Sequence, residues 1–356
     1  MYSAFHQRRS GMTLIELLVV IGIIGALAVA VLPNLGTTVE ARRGRESARM
    51  LTSFIAKAQA RAIGRREWSG FMLTPVSASS YAVADLFLAD VPPVYRGDTV
   101  PAMVTITGAA SASRQAVWND SALFSFITIG GTTGDLIRFG GRDRWYEVSG
   151  LPPENAVSGT LSFQLRGHST GAVEDSGYQP HNTPWPASPP GGIPFEILRQ
   201  PMPAGSPFTF PDARVVDLYW SGYGPPQVGT TATYQPFQVG TTGTATAGAT
   251  TSILYDGTGR LRQIHVRAAS GSPRRLTVTG QVFLLLGRAD RVGQAYDSTA
   301  GGADDSVGAN WQYADSHWIA IDPFTGAVRS AECVPTATTV IESQQWIRQV
   351  LLTGGG

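Results

Sequence analysis

The chain has one cysteine, Cys333, and one lysine, Lys57. A single thiol excludes an intrachain disulfide and any paired-cysteine metal site, so an exported product must be held by its core or its partners. Cys333 lies in SAECVPT beside Glu332, an acidic neighbour that opposes thiolate formation and favours a small buried hydrophobe. Catalytic signatures are missing as well. There is no GxSxG, HExxH or P-loop, and the chain is read as non-enzymatic and without a resident cofactor. The five histidines, His6, His168, His181, His265 and His317, are scattered. His168 and His181 flank Glu174 and Asp175, but at wide spacing in a Gly/Pro-rich segment that reads as an exposed loop. Charged residues make up only 15 % of the chain and net to +1, which gives no bulk reason to bind nucleic acid or an acidic substrate.

What is there begins with one long hydrophobic run. SGMTLIELLVVIGIIGALAVAVLPNL follows Arg8 and Arg9 and runs to Leu35. As a helix, Met12 to Leu35 would span about 36 Å, against a hydrocarbon core of roughly 30 Å. A secretory signal is one reading, because ALAVA, Ala26 to Ala30, offers a small-x-small cleavage pattern with a mature start at Val29 or Val31. A plain transmembrane anchor is another. Neither explains Glu16, since a charge at mid-bilayer costs roughly 2.5–3.5 kcal/mol, though less near an end.

The same run resembles the class III signal of type IV pilins and type II secretion pseudopilins. The resemblance implies that a prepilin peptidase cuts after Gly11 and methylates the new terminus at Met12. It implies an α+β fold, with a long N-terminal helix, membrane half plus amphipathic half, packed on a mostly antiparallel β head. The leader 1–11, with its two arginines, stays cytoplasmic, as the positive-inside rule requires. Glu16 then sits one helical turn from the Met12 ammonium and gains a counter-ion from its own chain or, as the family implies, from a neighbouring subunit. Gly22, Ala26 and Ala30 are small residues four apart that permit close helix approach in lipid. Gly22, Gly25 and Pro33 match places where such helices bend or loosen. The implied partners are other pilin subunits, the prepilin peptidase, an inner-membrane assembly platform and the bilayer. The implied location is a single-pass inner-membrane subunit with its head in the periplasm or outside the cell, later built into a filament.

The divisions expected are 1–11 leader, 12–35 membrane or filament-core helix, 36–67 amphipathic helix and 68–356 β-rich head. Leu51, Phe54, Ile55, Ala58 and Ala62 recur at helical spacing as an apolar stripe. Gly44 and Gly64 weaken that helix, and Gly64 is a plausible end. Beyond Phe71, short β-branched and aromatic runs bounded by Gly, Pro, Asn or Asp read as strands. The YDGTGR and DPFTGA segments are turns. The 41 glycines and 23 prolines collect mid-chain. Large loop insertions are therefore expected near 180–252, including the repeated QVGTT at Gln227 and Gln238. TVIESQQWIRQVLL is compatible with a closing helix or a strand. ARMLTSFIAKAQARAIGRREWSGFML, from Ala48, resembles the helix-to-strand passage of H-type pseudopilins and FimT-like minor pilins. SILYDGTGRLRQIHV and HWIAIDPFTGAVRSAE resemble their late hairpins.

Two ligand sites are weighed on residues alone. Asp297, Asp304, Asp305 and Asn310 offer oxygen donors suited to Ca²⁺, without EF-hand spacing. Arg260, Arg262, Arg267, Arg274 and Arg275 would form a basic stripe on adjacent strands that could touch DNA phosphates. Ordinary surface side chains are the simpler reading of both sets. A secreted or anchored β-rich protein that binds glycan or DNA is the rival to the pilin reading.

Overall fold

The computed structural model describes residues 14–97, 102–107, 113–118, 135–141, 145–150, 159–164, 189–224, 235–237, 247–267, 274–278, 280–300, 307–335 and 337–352. The side chains of 27–38 are not among those described. The chain opens with α1 (Leu14–Arg65), followed by β1 (Ser69–Thr74), β2 (Ala82–Val83) and β3 (Asp85–Asp90). Then come β4 (Thr105–Thr107), β5 (Ser113–Trp118), β6 (Leu136–Phe139), β7 (Tyr146–Gly150), β8 (Gly159–Gln164) and β9 (Phe195–Leu198). Next are β10 (Met202–Thr209), β11 (Arg214–Gly224), β12 (Gln235–Pro236), β13 (Thr250–Tyr255), β14 (Leu261–Arg267), β15 (Arg274–Thr277) and β16 (Gln281–Arg288). The chain closes with β17 (His317–Ile321), β18 (Val328–Glu332), α2 (Val340–Ser343) and α3 (Gln345–Leu352).

These strands form three antiparallel sheets. The first runs β10-β3-β1-β13-β14-β15, the second β12-β11-β16-β17-β18 with β2 beside β11, and the third β4-β5-β8-β7-β6-β9. The main core lies where α1 meets the first two sheets. Leu51, Phe54, Ile55, Ala58 and Ala62 of α1 pack there against Phe71, Leu73, Ile253 and Ile264 of the first sheet. Leu284, Leu286, Ile319 and Ile321 come from the second. Each large side chain removed from water contributes about 1.5–3 kcal/mol. The period of two in β16 then supplies a second layer: Phe283 and Leu285 face outward and are covered by Trp318, Cys333 and Ile347 of α3. The carboxyl-terminal segment left open between helix and strand is helical, with Thr339 Oγ1 capping α2 by accepting from the Glu342 N–H.

The third sheet is an insertion with its own core. Its hydrophobic cluster is drawn from Tyr95 to Ile197 and includes Phe139, Tyr146, Phe163 and Phe195. The chain leaves the first sheet at the end of β3 and returns at β10, and Asp90 and Met202 are paired neighbours across that gap. A whole sheet is therefore built into the tip of one hairpin.

This corrects where strands were expected. The 180–252 stretch read as insertion contains β9, β10, β11, β12 and part of β13. Proline did not prevent strand formation in β10 because that strand is the edge of its sheet, where Pro203 and Pro207 need not donate to a neighbour. The repeated QVGTT segments lie wholly outside the described residues.

Candidate functional site

Along its length α1 has two environments. From Leu14 to Ala26 every side chain is exposed, Leu14, Ile15, Leu18, Ile21 and Ile24 among them. Nothing lies within 4 Å of a Cβ placed on Gly22 or Gly25. The only acid in this stretch is Glu16, in the first turn. Apolar surface left in water is unfavourable by about 25 cal/mol per Å², so this face calls for lipid or other helices around it. The helix is continuous through Gly22, Gly25 and Pro33. Gly11 and Met12 lie outside the described residues. Among the described residues no helix is long and apolar enough to cross a membrane. The apolar side chains described stop at Ala26, and the expected span Met12–Leu35 extends past them at both ends.

The second environment begins at Glu40, where α1 meets the second sheet. Arg214, 1 % exposed, opens β11 and reaches across to the helix. Its Nη2 donates to Glu40 Oε2 at 2.7 Å, to the Glu40 carbonyl at 3.1 Å and to Asp315 Oδ2 at 3.2 Å. Its Nη1 donates to the Asp315 carbonyl at 3.1 Å. Arg291, equally buried, donates to Asp315 Oδ1 at 3.1 Å and lies 3.5 Å above the Tyr313 ring. Two buried cations thus face two acids, the condition under which buried charge is tolerated. Burial lowers the pKa of neighbouring His317, with the Glu332 charge opposing.

Gly44 belongs to this contact. A Cβ there would stand 2.3 Å from the Asp315 carbonyl oxygen and 3.1 Å from His317 Cε1. The residue read from sequence as a weak point in the helix is where the helix backbone touches the head. Sequence reasoning did not single out Arg214 or Asp315, which are 101 residues apart. No local pattern marks them.

The basic stripe is not one surface. Arg260, Arg262 and Arg267 are exposed, and Arg262 Nε donates to Asp256 Oδ2 at 2.9 Å. Arg275 is buried, opposite His265 and lining a cavity of about 140 Å³ with Trp68, Val91, Leu198, Arg199 and Leu254. The side chain of Arg274 lies outside those described. Of the oxygen-rich set, Asp297 Oδ1 accepts from the Thr299 N–H and Oγ1–H, each at 2.7 Å, closing a turn. Asn310 donates its amide to buried Asp217. Asp304 and Asp305 lie outside the described residues, and no group of three metal-ligating side chains occurs among those described.

Residues 6–32 match the family model of the prokaryotic N-terminal methylation motif, the class III signal of type IV pilins. The chain carries a pilin-type signal. Glu16 and the exposed apolar residues from Leu14 to Ile24 fall inside the match. The signal points to a type IV pilin-like or pseudopilin precursor, processed by a prepilin peptidase, anchored in a membrane or assembled with other pilin subunits in a filament. No curated protein and no solved structure matches the chain.

Proposed function

We propose that the protein is a minor pilin or pseudopilin, a structural and non-enzymatic subunit of a type IV pilus or type II secretion pseudopilus. The observation that carries this reading is the coincidence of three features. The methylation motif covers residues 6–32, the start of α1 is apolar and exposed, and its single acid lies in the first turn. Cleavage after Gly11 creates an ammonium at Met12, one turn before Glu16, so that the acid can be buried as a pair. Met12–Leu35 then lies in the inner membrane until assembly, with the head on the far side, and afterwards packs among other helices through Gly22, Gly25 and Ala26. The likeness of Ala48–Leu73 to H-type and FimT-like subunits supports the minor role. So does the sheet inserted between β3 and β10, which enlarges the head beyond what a helix-backed sheet needs.

The test is Glu16→Val in cells that express the assembly machinery. The variant is expected to insert into the membrane as the native chain does and to be lost from, or strongly depleted in, sheared filaments. Normal incorporation would remove the charge-pairing role and with it the mechanism offered here.

A further inference from the structure

The head carries a row of aromatic rings that runs from core to surface: Trp311 belongs to the cluster around Phe283, Trp220 packs against that cluster, and Tyr81 packs against the main core. Tyr81 meets Tyr219 edge-on at 5.1 Å, Tyr219 meets Trp220 at 4.9 Å, and Trp220 meets Trp311 at 5.9 Å. Tyr296 stacks on Trp311 at 5.8 Å and 12°. Trp311 is fully buried, whereas Tyr296 is 45 % exposed and Tyr81, Tyr219 and Trp220 are half-buried. One ring therefore serves as a floor, and four others keep surface in water.

The row is held by a device of its own. Between Asp217 and Gly222 the pairing of β11 with β16 slips, so that Tyr219 and Trp220 sit on a bulge. Bulges recur where a side chain must be re-aimed. Asp217 is fully buried, and its carboxylate accepts from the Tyr219 N–H at 3.1 Å, from the Gly293 N–H at 3.4 Å and from Asn310 Nδ2 at 3.1 Å. Burial pushes its carboxyl up to about 6 despite those bonds. Ser221 Oγ–H donates to the Asp217 carbonyl and accepts from the Leu285 N–H, which stitches the bulge to β16. The three segments tied to Asp217 are those that carry Tyr219–Trp220, Tyr296 and Trp311. Trp220 Nε1 donates to the Gln294 carbonyl at 3.0 Å, which fixes the indole. This buried polar hub fixes the three segments that carry the partly wet rings as well as the buried Trp311.

We infer that this row is a binding platform for a neutral, pyranose-containing glycan. A pyranose offers an apolar C–H face to a ring and hydroxyls around its rim. Exposed Gln294 and the Asp297 carboxylate beside Tyr296 suit those hydroxyls. A phosphate backbone is disfavoured. Asp290 and Asp297 are acidic, and the adjacent Arg288 and Arg291 are engaged with Asp290 and Asp315. The platform stands whether or not the chain polymerises, because none of these residues lies on α1.

The experiment titrates the full chain, in a sugar-free detergent, with cellohexaose, xylohexaose, maltohexaose and chitohexaose. Intrinsic tryptophan fluorescence is followed, with a thymidine oligonucleotide and a proline decamer as competitors. At least one hexasaccharide is expected to bind saturably. Tyr296→Ala and Tyr219→Ala should each weaken it about tenfold, one lost ring contact apiece. Phe324→Ala, an exposed aromatic elsewhere, should leave it unchanged. Circular dichroism and the unfolding midpoint establish that each variant is folded. The proposal is overturned if no hexasaccharide binds, if the oligonucleotide or proline peptide binds better than all four, or if the folded tyrosine variants keep native affinity.

Discussion

Replacing Gly44 by alanine should destabilise this protein although glycine-to-alanine changes inside helices normally stabilise. The ordinary gain is about 1 kcal/mol, because alanine loses less backbone freedom on folding. At Gly44 the new methyl would meet the Asp315 carbonyl oxygen at 2.3 Å. That oxygen belongs to backbone and cannot swing aside like a side chain. Overpacking of this kind costs about 1–3 kcal/mol. Easing the clash by sliding α1 outward would stretch the Arg214 bonds to Glu40 and Asp315, now 2.7 and 3.2 Å. Hydrogen bonds to charged groups are worth about 1.5–3 kcal/mol each. The net expectation is a loss of about 1–4 kcal/mol. Gly64 is the matched control, since it lies in the same helix with nothing within 4 Å of its Cβ. Gly64→Ala should gain up to about 1 kcal/mol. Thermal unfolding of the full chain in detergent reads both, at about 2–4 °C per kcal/mol for chains of a few hundred residues. The two midpoints should move in opposite directions. A Gly44→Ala midpoint at or above the native one would refute the close approach of α1 to the head.

Other consequences follow from the same contacts. Arg214→Met should cost about 3–5 kcal/mol by leaving Glu40 and Asp315 without their shared cation, and adding Glu40→Gln should recover part of that, as chemical denaturation would record. Hydrogen bonding from Arg61, with Ser69 and the Arg61 and Arg65 charges assisting against desolvation, lowers Asp90 from 3.8 to about 2. The folded value lies below the unfolded one, so this stability is present above about pH 4 and is lost as pH falls through 2. Partial exposure discounts it to about 1–2 kcal/mol, and Asp90→Asn should remove that part of the acid dependence. Replacing residues 92–200 by an Asn-Gly turn between Val91 and Pro201 should leave a folded protein, because the strands it joins are already paired at Asp90 and Met202. Loss of cooperative unfolding would show that the third sheet is not a separate unit.

Much of the fold was legible where its causes are local. The late hairpins could be read because Asp256 and Gly259, with φ +82°, build one turn and Asp322 caps the other. The stripe from Leu51 to Ala62 could be read because 3.6-residue spacing shows in the letters. β11 was overlooked although Val215, Val216, Leu218, Tyr219 and Trp220 are good strand formers, because the proline-rich residues before it suggested a loop. The inserted sheet was hidden for another reason. It is bracketed by β3 and β10 of the first sheet, which pair at Asp90 and Met202, and no local pattern reports a contact across so many residues. The amino-terminal signal was readable because its logic is confined to a few turns of helix. The docking contact was not, since Gly44, Arg214 and Asp315 meet only in three dimensions.

The central claim is that Glu16 exists for a terminus created by processing. Intact-mass and peptide mass spectrometry of the mature protein, isolated from cells that contain a prepilin peptidase, tests it directly. The account predicts a chain that begins at Met12 with one methyl group on its amine. A chain that begins at Val29 or Val31, or that retains residues 1–11, would contradict it.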